Sequence, residues 1–221
     1  MLVEALMTSE FESPDINTLV SEIESIAFDF EIYHIPICRN GAYIGTLSFN
    51  CITDEDRERN ASVSNYLPDL VQVAVKHDAF VFDTLKVFVE DDYTALPVLD
   101  KDENVIGILR LTDIVNYLNK TTSIKHKGAF ITLKLGQNDY NLQQIARIVE
   151  SNDAKILSIH FEPEMASGDL LCTIKINQED LSHILATFER FEYHPIAHSS
   201  LDGAQDDLTD RFNLLMKFLN I

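Results

Sequence analysis

Asp113 has the most informative surroundings of any side chain able to do chemistry. It follows Arg110-Leu111-Thr112 and sits close to the start of an amphipathic stretch that carries Ile114, Val115 and Leu118. An ionised carboxylate accepts two hydrogen bonds at once. At a helix start it also gains about 0.3–1 kcal/mol from the first-turn amides. The other reactive groups read as structural. His194 and His198 are four apart on a strand and share a face, but a metal pair there lacks a third ligand nearby in sequence, so ordinary histidines are expected. Cys38, Cys51 and Cys172 are odd in number, lack C-x-x-C spacing and lie in apolar runs, which reads as buried free thiols in a reducing compartment. Gly41 and Gly45 do not make a phosphate loop. No nucleophile, base and orienter stand together, so a catalytic reading has no residues to rest on.

The elements that position Asp113 are legible. Residues 93–118 read as strand, turn, strand, helix: Ala95-Leu96-Pro97-Val98-Leu99, five polar residues from Asp100 to Asn104, Val105–Leu109, then the amphipathic stretch. An earlier stretch repeats this plan. His34-Ile35-Pro36-Ile37 answers Ala95-Leu96-Pro97-Val98 at a spacing of 61, and Ile44-Gly45 answers Ile106-Gly107 at 62. Two copies at that period point to paired modules rather than a solenoid.

Each copy resembles a CBS module, and the tandem resembles a Bateman pair, a regulatory domain that binds adenine nucleotides. The carrying motif is an apolar-Pro-apolar strand, a turn, an apolar-Gly strand and S/T-x-x-D. The resemblance implies that backbone around the apolar-Pro strand lines a base pocket, that the motif's Asp holds the ribose hydroxyls and that its S/T meets phosphate or ribose oxygens. Carried onto this chain, the implied nucleotide-binding residues are Asp113, Arg110, Thr112, Ala95, Leu96, Pro97 and Val75, with Ile35, Pro36 and Ser48 from the first copy. Neither copy is complete. The second reads Arg110-Leu111-Thr112-Asp113, with arginine at the S/T position, where it either reaches a phosphate with two parallel hydrogen bonds or covers the pocket mouth. The first reads Ser48-Phe49-Asn50-Cys51, with cysteine in place of the acid. The expectation is one functional site centred on Asp113 and a first site that is degenerate or structural. His126 and the lysines at 120, 125 and 127 either add positive charge or form a solvated linker. The ligands implied are AMP, ADP, ATP or S-adenosylmethionine, with no cofactor required.

Composition bounds the partners. The 221 residues are 46% hydrophobic, enough for packed cores, and the net charge is −19. That charge divides as −9, −3 and −7 over residues 1–60, 61–127 and 128–221. A field of this sign repels nucleic acid and anionic membranes. No apolar run reaches 18 residues, and the first residues lack the basic start of a signal peptide, so a soluble, cytoplasmic protein is expected.

In chain order, Ser13-Pro14-Asp15 signals a helix start, with Leu19, Ile23, Ile26, Ala27 and Phe30 on one face. Arg39-Asn40-Gly41 is a tight turn. The charged run Thr53–Arg59 joins the modules as a solvated face. Leu70–Val75 reads as a strand and 79–90 as a helix, and 121–128 is the domain boundary. From Ala129 the order is βαββαβ, a ferredoxin-like plan. Its strands are Ala129–Leu135, Lys155–Phe161, Leu170–Ile176 and Tyr193–His198, and its helices include Leu142–Val149 and Gln178–Arg190. After a CBS pair this resembles an ACT-type domain, and the whole is similar to the acetoin-utilisation-type regulatory proteins of bacteria. Asn141 stands where amino-acid-binding members of that family carry glycine, which favours dimerisation over amino-acid binding. Leu208, Phe212, Leu215 and Leu219 make an amphipathic segment that must dock on its own sheet or a second subunit. The fold class expected is α/β (α+β): first CBS module 1–60, second 61–127, ACT-like domain 128–200, C-terminal helix 201–221. The function expected is a non-enzymatic regulator, by resemblance a homodimer, that senses an adenine nucleotide and relays the change to an unknown protein partner. The alternative is a ligand-free adaptor with degenerate sites.

Overall fold

The computed structural model describes residues 1–121, 126–136, 140–164 and 167–199. The expected helix over 201–221, with Leu208, Phe212, Leu215 and Leu219, lies outside the described residues, as does Lys125. The chain divides into two compact units, Met1–Leu118 and Asn119–Ile221. Both mix helices with sheets, as the α/β (α+β) reading requires.

In the first unit the repeat is physical. Helix α1 (Val20–Phe30) buries Val20, Ile23 and Ala27 and ends at Glu31 in the left-handed conformation, φ 54°. Strands β1 (His34–Arg39) and β2 (Ala42–Ser48) then form a hairpin. Its turn residues Asn40 and Gly41 have φ of 52° and 84°, the positive values that tight hairpin turns demand. After the short α2 (Asp54–Glu58), capped by Thr53 accepting from the Asp56 amide, the chain repeats itself. It forms β3 (Val75–Lys76), α3 (Val81–Glu90), β4 (Ala95–Leu99), β5 (Val105–Arg110) and α4 (Leu111–Thr121). β3 runs parallel to β4, which pairs antiparallel with β5. The first copy has the matching parallel bridge, Asp15 to Cys38.

Each copy also donates a strand segment to the other. Thr8 exchanges backbone hydrogen bonds with Ile108 on β5 (2.8 and 3.1 Å), and Val71 does the same with Thr46 on β2 (2.8 and 3.0 Å). The motif glycines exist for this crossing. A Cβ on Gly107 would lie 2.6 Å from the Thr8 carbonyl oxygen, and one on Gly45 would lie 2.8 Å from Leu70 Cβ. The cores mix accordingly. Ala95 and Ile108 join Ile23, Ile35, Ile37 and Leu47 in one cluster, while Val3 joins Phe88, Leu96, Val98, Leu109 and Ile114 in the other.

Three expectations need correction. Helix α1 starts at Val20 after Leu19, not at Ser13-Pro14-Asp15. Of Leu70–Val75 only Val75 enters a regular strand, because Val71 is captured by Thr46 across the repeat. Cys38 and Cys172 are buried, but Cys51 is exposed, since in the 3-10 turn after β2 (Phe49–Cys51) it is Phe49 that packs on the core.

The second unit orders its elements as β6 (Ala129–Leu135), α5 (Leu142–Glu150), β7 (Ile156–Pro163), β8 (Leu170–Ile176), α6 (Ser182–Arg190) and β9 (His194–Ser199). The strand order β7-β8-β6-β9, all neighbours antiparallel, is ferredoxin-like. Alternate residues Ile131, Leu133, Leu135, Cys172, Ile174 and Ile176 meet Ile145, Ile148, Val149, Ile184 and Phe188 of the helices. Asn141 has φ −134° and accepts the Gln144 amide through its side chain, so it serves as the cap of α5. Helix α6 starts at Ser182 rather than 178, where Asp180 Oδ1 takes the Ser182 amide and hydroxyl.

Candidate functional site

β5 ends at Arg110 and α4 begins at once, its first amide donating to the Thr94 carbonyl (Leu111 N to Thr94 O, 3.0 Å). This places Arg110 and Asp113 three apart on the same side of the first turn. The guanidinium grips the carboxylate with both prongs: Nε donates to Oδ2 at 2.8 Å and Nη2 to Oδ1 at 2.8 Å. Its remaining arm, Nη1, donates to the Phe30 carbonyl at 3.3 Å, at the end of α1 in the first copy. Thr8 Oγ1 makes a third, longer approach to Asp113 Oδ2 at 3.4 Å. The side chains of Arg110 and Asp113 are 26% and 15% exposed, so water has limited access to the pair. The Asp113 carboxylate, with Glu31 contributing at longer range, raises the Arg110 guanidinium pKa.

The cluster therefore contains a carboxylate, a forked cation, a hydroxyl and a backbone carbonyl, drawn from α4, β5, the segment before α1 and the end of α1. Such a set can accept hydroxyl donors and pair with an anion. In the arrangement described, three donors already occupy the carboxylate. Two more donors, such as a sugar diol, exceed its four lone-pair sites by one, so either Thr8 or one prong of Arg110 must leave.

The other expected site residues lie as follows. Ala95 and Leu96 are fully buried on β4 and face different cores, Ala95 the first-copy cluster and Leu96 the second. Pro97, Ile35, Pro36 and Val75 are buried. Their side chains offer a ligand almost no surface, so any contact from β1 or β4 must come through backbone. Thr112 is exposed, and Ser48 is partly buried at the end of β2. Lys120, His126 and Lys127 are exposed. His194 and His198 are exposed on β9, and the described residues hold no group of three or more His, Cys, Asp or Glu arranged for a metal.

At the corresponding place in the first copy, Phe49 to Cys51 carry no carboxylate. A cavity of about 640 Å³ opens nearby, lined by Ala27, Phe28, Tyr33 and Phe49 together with Glu24, Asp29 and Glu31. Three acids make that cavity hostile to a phosphate. Two groups at this end of the unit escaped the sequence reading. Thr8 lies 105 residues from Asp113, although Met7-Thr8 precedes Leu70-Val71 by 63, a spacing that continues the repeat. His34 accepts the Thr94 amide at Nδ1 (3.1 Å), while the Tyr33 amide donates to Thr94 Oγ1 (2.8 Å), which ties β1 to β4. Burial pushes the His34 imidazole below its ordinary range, so the neutral ring is the form that fits.

Comparison with known families and structures bears on the same region. The CBS domain family model matches residues 68–120, the segment from the crossing strand through Asp113 to α4. An uncharacterized protein of Methanocaldococcus jannaschii is 26% identical over 139 residues, 62% of this chain and 52% of its own length. The match thus spans about half the length of that curated relative. Among solved structures, a CBS domain pair/ACT domain protein from Thermotoga maritima is 19% identical over 54% of this chain and 98% of that one, with a TM-score of 0.46. CBSX2 in complex with AMP is 20% identical over 57% of this chain and 98% of that one, with a TM-score of 0.42. Among the described residues no helix is long and apolar enough to cross a membrane.

Proposed function

We propose that Met1–Leu118 is a CBS pair that binds one adenine nucleotide at Asp113, and that the protein is a non-enzymatic regulator passing the bound state to a protein partner. The supporting observation is the convergence of Thr8, Arg110, Asp113 and the Phe30 carbonyl, inside the segment matched to the CBS domain. Because those groups come from both copies, a ligand that rearranges them favours one arrangement of the pair over another. Coupling needs such a differential affinity. The modules are taken as 1–60 and 61–127. The ferredoxin-like unit (128–200) is taken as an ACT-type relay, as in acetoin-utilisation-type regulators, within a cytoplasmic homodimer. A dimer would cover apolar side chains of the first unit that are exposed in the single chain, such as Phe28 and Val89.

Titration calorimetry of the stripped protein with AMP, ADP, ATP and S-adenosylmethionine tests the site. Binding at one site per chain is expected, weakened at least about tenfold in Asp113→Ala by loss of charge-assisted hydrogen bonds. Unchanged affinity in that variant removes Asp113 from the site.

A second reading, a ligand-free adaptor, is favoured by two observations: the carboxylate is already held by Arg110, and Cys51 stands where the first copy needs an acid. No heat with any of the four ligands, together with a stable dimer by light scattering, decides for the adaptor.

A further inference from the structure

We infer that Arg110 makes the site selective for 5′-phosphorylated adenosine over the uncharged nucleoside; this rests on the nucleotide reading above and names the side chain that sets its ligand class. The geometry sets the competition. Arg110 holds both oxygens of Asp113 at 2.8 Å, so a ribose diol that seats two-pronged on the same edge of the carboxylate competes with the fork for it. A displaced guanidinium in a pocket where the pair is only 26% and 15% exposed loses two charge-assisted hydrogen bonds that water restores poorly. The incoming ligand must therefore supply a new partner for Arg110. A phosphate does so, because its oxygens match the guanidinium fork. A nucleoside has no anion to offer.

Local charge limits where an anion can bind. Glu31 adds negative potential at Arg110, yet the only cation in the cluster is Arg110 itself among the described residues that touch Asp113. A phosphate thus has one place to bind. The same arginine donates to the Phe30 carbonyl of the first copy, so drawing it onto a phosphate also breaks a bond between the copies. Selectivity and signal reside in one side chain.

The test is calorimetric titration of the full chain with adenosine, AMP, ADP and S-adenosylmethionine. It uses the wild type, Arg110→Ser (the residue at the matching position of the first copy), Arg110→Lys and Arg59→Ser. Arg59 is an exposed arginine on the other side of the repeat and controls for net charge. We expect AMP to bind wild type more than roughly tenfold tighter than adenosine. In Arg110→Ser the ratio should fall to near unity, with adenosine binding tighter than it does to wild type because Asp113 is released. Arg59→Ser should keep the wild-type ratio. If circular dichroism shows that Arg110→Ser does not fold, Arg110→Lys serves instead, and its point charge without a fork should reduce the ratio severalfold. Equal binding of adenosine and AMP to wild type, or a ratio that survives both Arg110 substitutions, overturns the selectivity while leaving the nucleotide site standing. Binding of none of the four ligands to wild type or Arg110→Ser overturns the nucleotide reading, and the selectivity with it.

Discussion

The two copies in the first unit share a backbone plan and differ in what they place on it. Both have the apolar-Pro strand, the close-packed glycine and the crossing segment. Only the second continues from its hairpin into an 11-residue helix with a carboxylate in the first turn; the first makes a three-residue 3-10 turn. At the next level down, Phe88 of α3 is fully packed, while its counterpart 61 residues earlier, Ala27 of α1, lines a cavity of about 640 Å³. The second copy packs an aromatic ring at this position and carries a carboxylate and a forked cation after its hairpin. The first has the same scaffold without the acid. Glycines and crossing strands can therefore hold one architecture while the two members carry different polar groups.

Substitutions that act on matched positions sharpen this contrast. The largest effect is expected from Phe88→Ala, which empties a fully buried aromatic site and should cost about 3–5 kcal/mol by urea denaturation. Ala27→Gly at the matched position should cost about 1 kcal/mol, the difference in helix propensity. Equal losses at the two positions would mean that the copies are packed alike.

Next comes the pair of glycines. Gly107→Ala drives a methyl group into the Thr8 backbone, which cannot rotate away, and should cost about 1–3 kcal/mol. Gly45→Ala meets Leu70 Cβ first, a contact that a small shift of that residue relieves, and should cost less. The reverse order would show that the two crossings are not equivalent in tightness.

The smallest effect belongs to His34, matched in the second copy by Ala95. Burial lowers the folded-state value below the ordinary 6.5, and Nδ1 must stay unprotonated to accept the Thr94 amide. The unfolded chain therefore takes up the proton first as pH falls. Stability present above pH 6.5 should be lost as pH falls through the lowered folded value. Urea midpoints measured above and below that range should show this decline in wild type and a shallower one in His34→Ala. A decline of the same depth in the variant would assign it to other groups.

Much of this architecture was written in local pattern. Ala129–Leu135 and Leu170–Ile176 are short apolar runs that end in alternation, so their strand limits are legible directly, and Asn40-Gly41 marks its turn. The exceptions arise where a distant partner decides. Leu70-Val71 reads as the start of a strand, but its hydrogen bonds go to Thr46, so the regular strand begins only at Val75. Cys51 sits among apolar neighbours in sequence and faces solvent, because the 3-10 turn directs Phe49, not Cys51, onto the core. At the site, the three-residue spacing of Arg110 and Asp113 was itself a signal for their ion pair, of the kind opposite charges make on a helix. Thr8 had no such local mark. Only the fold brings it across 105 residues to the same carboxylate.

The reciprocal crossing of Thr8 and Val71 also sets an order of events while the chain is being made. When the first hairpin has emerged from the ribosome, its outer strand still lacks the segment that completes it, which follows more than twenty residues later. Residues 3–8 wait longer still, since β5 and the pocket that takes Val3 are translated a hundred residues behind them. Neither copy can finish alone, so the first unit closes only after its later strands are made, with long loops drawn together at an entropic cost. Until then, the apolar residues nearest the start of the chain depend on chaperones or on chance to stay out of wrong company.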